Sequence, residues 1–404
     1  MGNQFSDLLP NQPLAIIHVL RAPVGGLFRH VLDLAKAQIA DGHSVGIICD
    51  TLTGGQVAQY ALATIEPGLK LGLTRVPMKR NPSVEDILAL RHVMQRTKPY
   101  PGIVIHSHGS KGGVYARLPG LWSKNAVRAY TPHGGSFNYR PGSLVHKFYM
   151  KIEKLMSFGT DLFLFESDFI RRCFIAEVGT PKCLVRTVMN GISPAEFEPV
   201  IQNDDAADFL YIGELRAAKG IDTLIDAFSI VHTTTQWRPK MVMVGTGADL
   251  ADLQKQVADH QLSDYISFAG GMPARKAFAL ARVVVVPSRA ESMPYILLEA
   301  AGAQIPIIST NVGGIPEIFG PQAGRLIPCD QPQILAQKLI QTLETPRAAL
   351  LAEAAELSAI VAKDFTIQHM LDTIISAYRE ALALKCSAPT IRGLALNAQG
   401  EAKR

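Results

Sequence analysis

The sequence predicts two doubly wound α/β domains in tandem, with their ligand-binding ends facing one another across a cleft. Three observations carry this reading. Short apolar runs of strand length alternate with helical patterns along nearly the whole chain. The alternation comes in two series, and a stretch marked by proline and acidic residues separates them. At 404 residues, the chain has room for two units of roughly 100–200 residues each.

The first unit, residues 1–195, opens with residues 14–20 (LAIIHVL), a continuous apolar run suited to a buried parallel strand. The Gly25-Gly26 turn follows, then a helical stretch whose Val31, Leu34, Ala35 and Ile39 share a face. Residues 44–49, 103–106, 127–131, 162–165 and 184–188 continue the strand series up to the turn Asn190-Gly191. Residues 196–207 read as a linker. The second unit, residues 208–366, takes its strands from 209–212, 241–244, 266–268, 283–286 and 305–309. Residues 367–384 form an amphipathic helix that either closes the second unit or crosses back to the first. Residues 385–404 read as a flexible tail.

Composition removes several classes of function. With 48% hydrophobic and 19% charged residues, a large core is affordable and wholesale disorder is excluded. No run of about 18 apolar residues offers a transmembrane helix, and the start MGNQFSDLLPNQ lacks the basic and apolar regions of a secretory signal. A soluble protein is expected. Met1–Ser6 fits the loose myristoylation pattern, which arises often by chance. Cys49, Cys173, Cys183, Cys329 and Cys386 are scattered and never form C-x-x-C, so they read as free thiols in a reducing cytoplasm. Net charge is +5, unevenly placed: residues 1–200 hold 22 basic and 14 acidic side chains, the rest 18 and 21. The first half therefore faces something anionic, such as phosphate or an anionic bilayer. With 7% aromatics and no basic run interleaved with them, nucleic acid is not expected.

Ligands of such sheets bind beyond the carboxyl ends of the strands, and the unusual residues lie in those turns. Gly213 to Gly220 (GELRAAKG) is a glycine turn entering a helix, a natural phosphate cradle to which Arg216 and Lys219 add fixed charge. Further on, Glu291 sits in a loop after a strand, and Pro294 opens a helix that carries Glu299 in its second turn. Two acceptor-only carboxylates on one rim suit sugar hydroxyls. His106 and His108 are expected on opposite faces of a strand end, as hydrogen-bonded structural groups and not metal ligands. His133, followed by two glycines, is the better functional candidate.

These motifs in this order resemble the GT-B glycosyltransferases, and most of all the retaining, nucleotide-sugar-dependent family 4 (glycosyl transferases group 1). The resemblance rests on Gly-x-x-Arg-x-x-Lys-Gly, on two Glu separated by seven residues, and on Gly25-Gly26, residues 106–113, Thr131-Pro132-His133-Gly134, Asn190-Gly191-Ile192, Gly245-Thr246-Gly247 and residues 311–317. It implies two Rossmann-like domains and these roles. Gly25, Gly26, Gly213, Arg216 and Lys219 would hold the donor diphosphate. Glu299 would bind ribose, and Glu291 would face the transferred sugar with amides near Ser292 and Met293. His133 would stand at the reaction centre. Many members place Arg immediately after the first glycine of the phosphate turn; here it is Glu214.

The expected activity is transfer of a hexose from UDP- or GDP-hexose to a glycan or lipid-linked glycan, forming an α-linkage, without metal or other cofactor, in bacterial exopolysaccharide or lipopolysaccharide synthesis. A sugar-nucleotide epimerase and an inactive sugar-nucleotide-binding scaffold are the alternatives. A Rossmann dehydrogenase is set aside because no G-x-G-x-x-G follows the first strand. In residues 140–156, Leu144, Phe148, Ile152 and Leu155 recur at helical spacing beside Lys147, Lys151 and Lys154. That pattern reads either as an apolar stripe on the core or as a helix lying on the anionic inner face of the cytoplasmic membrane.

Overall fold

The computed structural model describes residues 12–118, 126–138 and 142–387. The myristoylation pattern and residues 388–404 of the expected tail lie outside these. The first sheet holds β1 (Ala15–Leu20), β2 (Ser44–Asp50), β3 (Gly72–Val76), β4 (Val104–His108), β5 (Val127–Thr131), β6 (Leu162–Phe165) and β7 (Leu184–Thr187), in the order 3-2-1-4-5-6-7. The second holds β8 (Ala207–Ile212), β9 (Met241–Val244), β10 (Ile266–Gly270), β11 (Ala281–Val286) and β12 (Ile307–Ser309), in the order 10-9-8-11-12. Every pairing is parallel. β-Branched runs such as VVVV in β11 suit this, since helices cover both faces and the central strands are buried on both sides. Strand order reverses between β1 and β4 and between β8 and β11, the switch points where such sheets bind ligands.

β3 was not anticipated. Its sequence, GLTRV, is only partly buried at the sheet edge, and Arg75 bonds back to the Asp50 carbonyl, so no apolar run marks it. The chain passes between the two sheets twice, side by side. Ile192 donates to the Phe365 carbonyl and Ile367 to the Ile192 carbonyl, each at 2.9 Å. Only glycine fits at 191, because a Cβ there would lie 2.3 Å from the Thr366 carbonyl oxygen. The final helix, Ile367–Ser387, then packs Met370, Leu371, Ile374 and Tyr378 over Ile16, Val104 and Leu162 of the first sheet. It runs past the expected end at 384: Lys385 is helical and sits 2.7 Å from the Asp161 carboxylate, so the assigned tail begins too early.

The helix Leu144–Ser157 departs from the core-stripe reading. Ser143 caps it, and its buried positions are His146, Met150, Glu153 and Met156. Leu144, Phe148 and Leu155 point outward, with Ile152 intermediate; residues 140–141 of the pattern lie outside the described chain. The inward side is organised by a polar group. Glu153 accepts from Arg117 at 3.0 Å and from the Tyr130 hydroxyl at 2.7 Å, while the Arg117 guanidinium lies 3.8 Å above the Tyr130 ring. Such a pair is costly to break because the remaining charge stays buried. Glu153→Ala is expected to lower unfolding free energy by about 3–5 kcal/mol in urea titration. The apolar double replacement Arg117→Met/Glu153→Leu should recover most of that loss.

Candidate active site

Gly220 adopts a left-handed φ of 64°, and a Cβ there would lie 2.1 Å from the Pro287 carbonyl oxygen. The turn after β8 therefore lies directly against the end of β11, and this brings the two motifs together. Lys219 Nζ is 2.6 Å from Glu291 Oε1, which also accepts from Ser288 Oγ at 2.7 Å. The loop holding Glu291 and Ser292 is backed by Gly313 and Gly314, where a Cβ would come within 1.6 and 2.0 Å of the Glu291 and Ser292 carbonyl oxygens.

Arg216 is placed differently. It pairs with Glu214 at 2.8 Å, both side chains largely exposed, beside a cavity of about 170 Å³ that Asp222, Asp249 and Asp252 also line. Glu214, the departure from the family pattern, thus takes up the guanidinium.

The two halves meet along the helix Gly25–Ala40. Gly25 is left-handed (φ 63°), and the helix starts without a side-chain cap, so its first amides stay open to an anion. A Cβ at Gly26 would sit 3.7 Å from the Tyr295 ring. One turn on, Arg29 pairs with Glu299 at 2.5 Å, with Glu196 and with Asp33, and lies 4.4 Å over Tyr295. Burial opposes its charge, but the carboxylates of Glu299, Glu196 and Asp33 outweigh that and hold it firmly protonated. Burial likewise raises the Glu299 pKa, with Arg29 pulling the other way. Glu291 and Glu299 therefore have separate cationic partners. Nothing in the motifs singled out Arg29; its place one turn after Gly25-Gly26 was the available signal. Asn190 donates to the Met293 carbonyl at 2.9 Å, and Glu317 accepts from the Asp168 and Phe169 amides at 2.8 and 2.7 Å, closing the seam from two further sides.

Beneath the seam lies a cluster of histidines. His106 and His108 share a face, contrary to the expectation of opposite faces: residues two apart in a strand point the same way, and their ring centroids are 4.0 Å apart. His18 on β1 and His30 on the first helix join them, and His133, in a left-handed conformation (φ 54°), closes the group toward the cleft. The amide partners settle the tautomers. Gln38 Oε1 only accepts, so His18 Nε2 donates to it at 2.8 Å and His18 Nδ1 accepts from His108 Nε2 at 3.0 Å. His108 Nδ1 then accepts from His133 Nε2 at 3.1 Å. By the same logic His30 Nδ1 donates to Asn190 Oδ1 at 3.0 Å. His106 is held by Tyr378 and Thr131. Burial pushes the His18 and His30 pKa values down to about 4. It also drives those of His106, His108 and His133 well below the ordinary imidazole range, with neighbouring imidazoles disfavouring a second charge, so all five are neutral.

Two family models match: glycosyl transferases group 1 over residues 193–357 and glycosyltransferase family 4 over residues 24–196. Together they cover residues 24–357, which takes in the second sheet and all of the first except β1, and the chain belongs to these GT-B glycosyltransferases. An uncharacterised glycosyltransferase of Methanocaldococcus jannaschii is 25% identical over 324 residues, 73% of this chain and 79% of the relative. The O-antigen chain mannosyltransferase B of Escherichia coli is 27% identical over 194 residues, 46% of this chain and 50% of that one. Anabaena HepE, solved in complex with UDP and glucose, matches the fold with a TM-score of 0.74 at 15% identity, over 90% of this chain and 98% of that one.

Stability should depend on pH in two opposing ways. The histidines, with lowered folded pKa values, contribute stability that is complete above pH 6.5 and lost as pH falls toward 4. Glu166, beyond the end of β6, runs the other way. Burial pushes its pKa from 4.5 up to about 7, so its contribution is complete below 4.5 and lost as pH rises through 7. Glu166→Gln should therefore gain about 3 kcal/mol over the parent at pH 8 and little at pH 4.5, read from urea unfolding at each pH.

Proposed function

We propose that this glycosyltransferase is a retaining, metal-independent enzyme that moves a hexose from a nucleoside diphosphate to a glycan or lipid-linked glycan, leaving an α-linkage. The observation that carries the donor site is the Lys219–Glu291 pair at the β8/β11 switch point. An arriving diphosphate brings more negative charge than one carboxylate and takes Lys219 as its partner. Glu291, released, then faces the hydroxyls of the transferred sugar. Open amides at Gly25 and Gly26 approach the diphosphate from the first unit, with Gly213 giving room in the turn, while Arg216 contributes at longer range because Glu214 shares its charge. Ribose hydroxyls compete with Arg29 for Glu299. As the diphosphate leaves by front-face substitution, these cations and amides stabilise the growing charge, and a leaving phosphate oxygen takes the acceptor proton. His133, a neutral imidazole, takes the centre, next in the chain to Gly134, which packs against Ser292. The relative named as an O-antigen mannosyltransferase favours a role in bacterial surface polysaccharide synthesis.

The acceptor site fits a cavity of about 410 Å³ in the first unit, where His108 and Ser110 at one end meet Leu27, Leu90, Phe148 and Ile152, with Arg21 and Arg80 in its wall. Apolar lining beside fixed positive charge suits an amphiphilic, anionic acceptor such as a lipid-linked glycan. Behind Phe148, the exposed Leu144, Val145, Leu155 and Phe158 stand among exposed Lys147, Lys151 and Lys154, as on a helix that rests at an anionic bilayer. Among the described residues no helix is long and apolar enough to cross a membrane. This reading puts the protein at the inner face of the cytoplasmic membrane.

Calorimetric titration with UDP, GDP and ADP tests the donor site. One nucleotide should bind, Lys219→Ala should abolish that binding, and its turnover should fall at least about a hundredfold. A Lys219→Ala enzyme with near-normal turnover would remove the assignment, and product anomeric configuration reads the stereochemistry. For the membrane face, the parent should sediment with phosphatidylglycerol vesicles but not phosphatidylcholine vesicles. Leu144→Ser/Leu155→Ser should remain in the supernatant with both.

A further inference from the structure

We propose that His30, His108 and His133 form a binding site for a borderline transition-metal ion of the Zn²⁺ class, and that its occupancy inhibits transfer. One nitrogen from each of the three lies within 4.8 Å of the others. The strongest indication is His30. Its Nδ1 hydrogen is committed to Asn190, whose own amide group is fixed on the Met293 carbonyl, so Nε2 carries a lone pair. That nitrogen is buried and has no hydrogen-bond partner. An orphaned lone pair of this kind costs free energy unless something accepts it. His108 is prepared in the same way: its Nε2 hydrogen is spent on His18, leaving Nδ1 as a lone pair directed at His133.

Two of the three ligand atoms already stand at a metal's spacing. His108 Nδ1 and His133 Nε2 are 3.1 Å apart, against about 3.3 Å for two nitrogens each about 2.05 Å from a tetrahedral ion. Binding replaces one N–H···N hydrogen bond. His133 exchanges its Nε2 proton for one at Nδ1 through solvent, so no net proton is released and nothing is oxidised or reduced. Three imidazoles bind, and the fourth position is left to water. Asn190 and His18 serve as the outer partners that orient metal-ligating imidazoles. An all-nitrogen set selects Zn²⁺, Ni²⁺ or Cu²⁺ over Mg²⁺ or Ca²⁺.

The neighbouring triad of His18, His106 and His108 does not qualify. His18 has both nitrogens engaged, with Gln38 and His108, and His106 has both engaged, with Tyr378 and Thr131. The site therefore includes His133 and lies at the cleft. Inhibition, which rests on the transferase reading, follows because the ion withdraws His133 from the donor sugar.

The full chain, without a polyhistidine tag and in a metal-free, non-coordinating buffer, is titrated with Co²⁺. Visible ligand-field bands of four-coordinate Co²⁺ should saturate at one ion per chain and bleach when Zn²⁺ displaces it. His30→Ala should weaken binding at least tenfold and Asn190→Ala about ten- to a hundredfold. His133→Asn, which keeps a residue type tolerant of the left-handed conformation, should abolish the bands even if His30→Ala fails to fold. Thermal melting identifies any variant that does fail. Native protein without four-coordinate bands, or folded variants that bind as tightly as the parent, would overturn the site. Nucleotide calorimetry in the same buffer separates the two readings. Nucleotide binding without Co²⁺ bands removes the metal site alone, and Co²⁺ bands without nucleotide binding remove the transferase reading and its inhibition.

Discussion

The arrangement of this enzyme depends on one half-buried cation. Arg29 is held by Glu299 of the second unit, by Glu196 just beyond the crossing segment and by Asp33 of its own helix, and it rests on the Tyr295 ring. A guanidinium removed from water is costly unless its donors are met, and here they are met only when both halves are in register. The same helix turn carries Gly26, which leaves room for Tyr295, and His30, which bonds Asn190. The opening of one helix thus sets the relative position of two sheets, and with it the width of the cleft.

Two copies of one topology then do different work. In the second sheet, the switch between β8 and β11 presents a lysine and a carboxylate already neutralising one another. In the first, the switch between β1 and β4 presents uncharged imidazoles beside a cavity of mixed apolar and charged lining. On the proposed reading, a charged donor is drawn to the former. The latter offers hydrogen-bonding groups that burial keeps neutral, suited to sugar hydroxyls whose protonation never changes.

Much of this was legible in the residues. Among the described residues, eleven of the twelve strands stand where apolar runs mark them, most plainly the central ones, because a parallel strand buried on both faces must be apolar throughout. β3 was missed because GLTRV sets a glycine, a threonine and an arginine around a single leucine and so contains no apolar run. The helix at 144–157 shows the opposite failure: its apolar stripe was visible, but periodicity alone does not say which stripe is buried, and Glu153 reverses the usual choice by pairing with Arg117. The histidines went astray through their faces. Strand parity places His18, His106 and His108 on one side of the first sheet, yet only the pairing of β1 with β4, a contact distant in sequence, brings His18 beside them. Arg29 was invisible for a related reason, since its partners lie 4, 167 and 270 residues away.

Glu214 shows how a local departure from a family pattern is absorbed. A carboxylate at the mouth of a phosphate site should repel the ligand, but this one pairs with Arg216, and both side chains remain largely in water. Exposed pairs of this kind contribute little free energy, so an approaching diphosphate can draw Arg216 away at small cost. Lys219 is different. It is mostly buried against Glu291, where the effective dielectric is lower and each charge counts for more. On the proposed reading, then, the diphosphate rests chiefly on Lys219 and the open helix amides, and Arg216 serves as a mobile reserve. On the same reading, of the two glutamates beside the phosphate turn the one that governs donor binding is Glu291, because it alone must be displaced from a mostly buried partner.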